Sequence, residues 1–103
     1  MNRIEKLKEM LAADAEDSFL LHALGLEHSK IGDDETARGY FQKVLFSNPS
    51  YVGTYYHLAK LLERNDDEEG AIQVYEKGME VAKLAGDQHA YGELRGAWEE
   101  LTL

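Results

Sequence analysis

Displaced by 34 residues, the sequence falls on itself: Leu24 lands on Leu58, Gly25 on Ala59, Ala37 on Ala71 and Phe41 on Tyr75. Small positions meet small ones and large positions meet large. Strict identities between residues 18–51 and 52–85 number only five, so what recurs is size and polarity at fixed places rather than residue type. Carried backwards, the same shift sets Leu7 on Phe41, Met10 on Val44 and Leu11 on Leu45, which makes the first segment the second half of an incomplete unit. A period of this length marks units that cannot bury their apolar faces alone and must stack on one another.

Inside each unit the apolar residues recur at three- and four-residue spacing, with no alternating strand pattern. Ile4, Leu7, Met10 and Leu11 make one face of a first helix, with Asn2 and Glu5 spaced as a capping box. Leu20, Leu21, Leu24 and His28 run along a second; Ala37, Phe41, Val44 and Leu45 run along a third, which Asn48-Pro49 stops. Tyr55, Leu58, Leu61 and Leu62 form a fourth. Ala71, Ile72, Tyr75 and Met79 begin a fifth that extends to Ala85, where Gly86 is the C-terminal cap and Asp87 caps a sixth. Six helices joined by short turns pack as antiparallel neighbours, so the expected fold is all-α.

The sixth helix reads as a cap on the stack. Ala90, Tyr91, Leu94, Ala97, Trp98 and Leu101 fall in a stripe about 120° wide, the width of a surface helix covering a core. Trp98 is expected to be largely buried against the fifth helix. Gly25 gives up about 1 kcal/mol of helix stability relative to Ala. Its place midway along the second helix predicts a close approach, with Ala37 opposite and Leu21, Leu24 and Phe41 filling the space around the pair.

These positions resemble the tetratricopeptide repeat family, whose pattern is carried here by Leu21, Leu24, Gly25, His28, Ala37, Phe41 and Pro49. The second copy is Tyr55, Leu58, Ala59, Leu62, Ala71 and Tyr75, with Lys83 where the proline belongs, which implies a longer second helix in that unit. The resemblance implies antiparallel helix-turn-helix repeats wound as a right-handed superhelix. It divides a single domain, 1–103, into a half-repeat helix over 1–15, repeats over 18–51 and 52–85, and a capping helix over 87–101.

Chemistry of other kinds lacks its parts. The net charge of −9, from 11 Lys and Arg against 20 Asp and Glu, argues against nucleic acid as a partner, because phosphate binding relies on basic stripes. The N-terminal stretch is charged every two or three residues and no run approaches a membrane span, so a cytoplasmic protein is expected. There is no Cys, no Gly-x-Ser-x-Gly and no phosphate loop, so neither an enzyme nor a bound cofactor is expected. His22 and His28, six apart, point to different sides of a helix and do not make a metal pair. The acidic runs at residues 32–35 and 65–70 lack the alternating ligands of a calcium loop; they suit helix N-termini, where Asp and Glu cap free amides.

What remains is a binding surface. In the family that the chain resembles, the first helix of each pair lines a concave groove, and the matching residues are Phe19, His22, Leu26, Ser29 and Lys30, then Gly53, Tyr56, Lys60, Glu63 and Arg64, with His57 nearby; the candidate binding residues among them are Phe19, His22, Leu26, Lys30, Tyr56, His57, Lys60 and Arg64. Lys30, Lys60 and Arg64 make that surface less acidic than the rest, so the expected partner is a protein or peptide segment bearing an acidic group. The family's carboxylate clamp does not carry over, since His22, Leu26 and His57 stand at its Lys and Asn places. The alternative is a structural or self-associating scaffold, monomeric or weakly dimeric, favoured if Ile4 or Leu7 forms an exposed apolar patch.

Overall fold

The computed structural model describes residues 2–103. They form six helices and no strand: α1 (Arg3–Ala13), α2 (Ser18–Lys30), α3 (Asp34–Ser47), α4 (Gly53–Arg64), α5 (Glu68–Ala85) and α6 (Gln88–Thr102). Their contacts divide the chain into two compact units, Met1–Asn48 and Pro49–Leu103.

Local chemistry explains most of the boundaries. The Asn2 side chain accepts the Glu5 N–H at 2.9 Å, Asp17 that of Leu20 at 3.0 Å, and Asp33 that of Thr36 at 3.4 Å. Asp67 accepts from Gly70 at 2.9 Å and Asp87 from Ala90 at 3.0 Å. Each such cap stabilises its helix by about 1 kcal/mol. The acidic runs are therefore built into helix starts, and Asp33 and Asp67 hold equivalent places one repeat apart. Just before each of them the chain turns through the left-handed region, at Gly32 (φ 81°) and Asp66 (φ 63°). α4 is different: Val52 contributes no side-chain cap, and the Tyr55 hydroxyl donates to the Pro49 carbonyl at 2.6 Å instead.

In the first unit α1 lies on α2, and Leu7, Leu20, Ala23 and Leu24 form a buried cluster with Ile4, Leu11 and Tyr40 against it. Arg3 reaches across to Glu27 at 3.3 Å. Met10, expected on the inner face, is 56% exposed, because Leu7 alone among the α1 residues is fully buried. α3 packs on α2 through Ala37, Phe41 and Val44, each at most 1% exposed. A methyl group at Gly25 would overlap the Phe41 ring, whose atoms are the nearest to it. His28 takes the place of a packed aromatic: it is buried, stacks on Tyr40 with ring centroids 5.5 Å apart, and sets Nδ1 3.3 Å from the Asp33 carboxylate. That carboxyl is held below its usual pKa, chiefly by its hydrogen bond with Thr36 and in part by His28.

Gly39 has no such reason. A Cβ built there meets nothing within 4 Å. Gly39→Ala is therefore expected to stabilise the protein by about 1 kcal/mol through helix propensity alone. An unchanged or lower urea midpoint would show that the α3 backbone needs the glycine.

In the second unit α5 packs against both α4 and α6. α5 is the longer helix that Lys83 implied, 18 residues against 14 in α3, and Gly86 ends it in the left-handed conformation (φ 72°). Gly78 is buried at the crossing, where an added Cβ would come 2.7 Å from Tyr55 Cβ and 3.1 Å from Leu94 Cδ1. Tyr75 is fully buried, and its hydroxyl donates to the Glu63 carboxylate. Leu94 and Ala97 seat α6. Trp98 meets α5, as expected. It is only half-buried, because its indole N–H turns outward to the Glu76 carboxylate of α5 at 3.0 Å.

Candidate protein-interaction surface

The eight residues singled out from the sequence fall into two sets of four, one on α2 in the first unit and one on α4 in the second. On α2, Phe19 stands in the first turn and is 63% exposed, a position that leaves a large ring in water. His22 and Leu26 are half-buried, and the His22 ring tilts against Phe41 with centroids 5.7 Å apart. At the end of the helix Lys30 is exposed, but its ammonium lies 3.2 Å from Glu27. Glu27 thus holds Arg3 and Lys30 together, and its pKa is lowered first by the Lys30 hydrogen bond.

On α4, Tyr56 is half-buried, edge-on to Tyr75 at 6.4 Å and to His57 at 5.7 Å. The Lys60 ammonium lies 5.7 Å above the Tyr56 ring and 3.5 Å from Glu63. Glu63 also accepts the Tyr75 hydroxyl, so the carboxylate that pairs with Lys60 is itself anchored to α5. Desolvation lowers the His57 pKa, against the pull of the Glu93 carboxylate on α6. Arg64 is exposed at the C-terminal end of the helix.

Sequence reading grouped these side chains on α2 and α4 but missed the ion pairs of Lys30 and Lys60. Lys30 and Lys60 are each neutralised by a glutamate three positions away, a spacing that was visible and that brings side chains together on a helix. An incoming carboxylate has to displace Glu27 or Glu63. Lys30 is well exposed, and an exposed pair contributes only about 0–1 kcal/mol; Glu63 is held by Tyr75, so at the second pair it is the Lys60 side chain that has to turn to the incoming group. The described residues contain no cluster of His, Asp and Glu able to hold a metal ion, and no helix long and apolar enough to cross a membrane.

Residues 52–83 match the family model of the tetratricopeptide repeat. The solution structure of a tetratricopeptide repeat domain protein from Salinibacter ruber is 42% identical, with 85% of this chain and 89% of that one covered and a TM-score of 0.81. The chain belongs to the tetratricopeptide repeat family. This tetratricopeptide repeat protein also resembles BPP2914 from Bordetella parapertussis at 27% identity, over 99% of this chain and 89% of the other, with a TM-score of 0.85. The crystal structure of PcrH in complex with the chaperone binding region of PopD shares the fold, at a TM-score of 0.89 and 15% identity over 96% of this chain and 75% of that one. No curated protein matches. In repeat terms, Gly25 and Phe41 are the small and large family positions of one helix pair, and Ala59 and Tyr75 those of the next.

Proposed function

We propose that this protein is an interaction module that binds a peptide or a segment of a partner protein on the α4 surface built around Tyr56 and Lys60. The observation that carries the reading is the Tyr56 ring, half-buried in its own unit, with the Lys60 ammonium over its face. An aromatic fixed by Tyr75 and His57 loses little freedom on binding, and rigid aromatic anchors supply most of the affinity at such surfaces. Lys60, with Arg64 near it on the same helix, meets an acidic group of the partner by exchanging Glu63 for it. The α2 residues Phe19, His22, Leu26 and Lys30 form a further contact surface in the first unit. PcrH, with a bound segment of PopD, is a precedent within the fold for this kind of use.

The test starts from partner segments captured by the wild-type protein, each then made as a synthetic peptide and titrated by NMR. Tyr56→Ala with Lys60→Glu is expected to weaken binding by at least about tenfold, and added salt to weaken the wild-type complex. Shifts confined to the exposed faces of α3 and α5, with Tyr56 and Lys60 undisturbed, would overturn the reading.

A further inference from the structure

Self-association through α1 loses its premise, since Leu7 is buried and Ile4 is half-buried. A different surface of the first unit is suited to it. Where the α1–α2 connection meets α2 and α3, an open pocket of about 620 Å³ is lined by Leu21, Gly39, Phe46, Glu16 and Lys43, among others. Phe46 is 92% exposed, the most exposed of the large apolar residues described. The two charges at the rim are opposite in sign, and neither Glu16 nor Lys43 takes part in an ion pair among the described residues. Lys43 instead rests over the Tyr40 ring, 5.6 Å from its centroid.

The surface therefore combines a projecting ring, an apolar recess that admits a ring, and one free charge of each sign. This is the composition of a self-complementary patch. In an isologous contact each residue meets the counterpart of its own recess or its own opposite charge on the other copy. We propose that two copies of this chain associate through this pocket, with Phe46 of each inserted into the recess of the other and Lys43 of each facing Glu16 of the other. The local charges cancel, so the overall charge of −9 is not concentrated at the contact.

The second repeat supplies a control. Its own pocket, about 350 Å³, is lined by Pro49, Ser50, Lys77 and Val81, the equivalents of Ala15, Glu16, Lys43 and Ser47 at the 34-residue shift. There the glutamate is replaced by Ser50, the phenylalanine by Glu80, and Lys77 is already 3.8 Å from Glu80. The recess is retained and the self-complementarity is gone. Gly39 adds a further indication: it lines the first pocket, no atom of the chain needs it to be glycine, and Gln73 replaces it in the second repeat.

Sedimentation equilibrium from about 10 μM to about 1 mM tests the proposal, the range in which a contact smaller than a standard interface shows itself. The wild type is expected to form dimers and nothing larger, because an isologous contact closes. Phe46→Ser should raise the dimer dissociation constant by at least about tenfold while leaving the far-UV circular dichroism unchanged. Lys43→Glu and Glu16→Lys should each weaken the dimer, and the double exchange should restore it. Mixing the two single variants should give heterodimers, because each then offers the charges that the other lacks. A wild type that stays monomeric throughout overturns the proposal. So does a Phe46→Ser protein that dimerises as the wild type does, or single charge variants that do not associate when mixed.

Discussion

Phe41→Ala is expected to destabilise the protein by about 3–5 kcal/mol, the range for emptying a buried phenyl site. That is a large part of the about 5–15 kcal/mol that holds a domain of ordinary stability together. The size follows from position: Phe41 is 1% exposed and its ring occupies the notch left by Gly25 at the α2–α3 crossing. A neighbouring substitution tests the geometry. Gly25→Ala gains about 1 kcal/mol of helix propensity but overlaps the ring, and overpacking of this kind costs about 1–3 kcal/mol. Phe41→Leu shortens the side chain at the point of conflict. The pair should therefore be less destabilising together than the sum of the two, by about 0.5–3 kcal/mol, in urea denaturation followed by circular dichroism. Strict additivity would separate Gly25 from the ring.

The second large effect lies at high pH. Burial raises the Tyr75 pKa well above its ordinary 10.0, and the hydrogen bond to the Glu63 carboxylate raises it further. Tyr55 is raised as well, by burial and then by Glu80. A group whose pKa is higher in the folded state keeps its full contribution below the unfolded value and loses it as the pH climbs above that value. Above pH 10 the unfolded chain releases the Tyr75 proton that the folded protein retains, so stability falls by about 1.4 kcal/mol per pH unit on account of Tyr75. At pH 8 Tyr75→Phe should be less stable than wild type by about 1.5–3 kcal/mol, the contribution of a hydrogen bond to a charged group. By pH 11 the difference should shrink by about 1.4 kcal/mol. A gap that is the same at both values would mean that the Tyr75 hydroxyl ionises freely.

The helices were legible in the sequence because their signals are local. Caps at Asn2 and Asp87, the stop at Asn48-Pro49 and the glycine end at Gly86 each act within a few residues, and all stand where expected. Periodicity showed which way each helix faces. It did not show how deep a side chain sinks, and that is why Met10 is more exposed than its stripe implied. Two small residues at matching heights suggested a close approach at Gly25; that the Phe41 ring, one turn beyond Ala37 along α3, is what fills the notch shows only in the packing. At the candidate surface, helix register placed Tyr56 and Lys60 on one face. The bond from Tyr75 that fixes Glu63 joins residues 12 apart on two helices, and only their packing reveals it.

One of the six helix starts has a consequence for the order in which the protein assembles. A helix with its own Asp or Asn cap carries the instruction to begin in its own sequence, and its first turn gains that help even in an otherwise unfolded chain. α4 has no such residue at Val52. Its entry is held by Tyr55 reaching back to the Pro49 carbonyl, and the same Tyr55 side chain packs beside Gly78 of α5, which adds to holding it in place. The candidate binding helix is thereby expected to nucleate late, templated by a downstream segment that has already begun to coil.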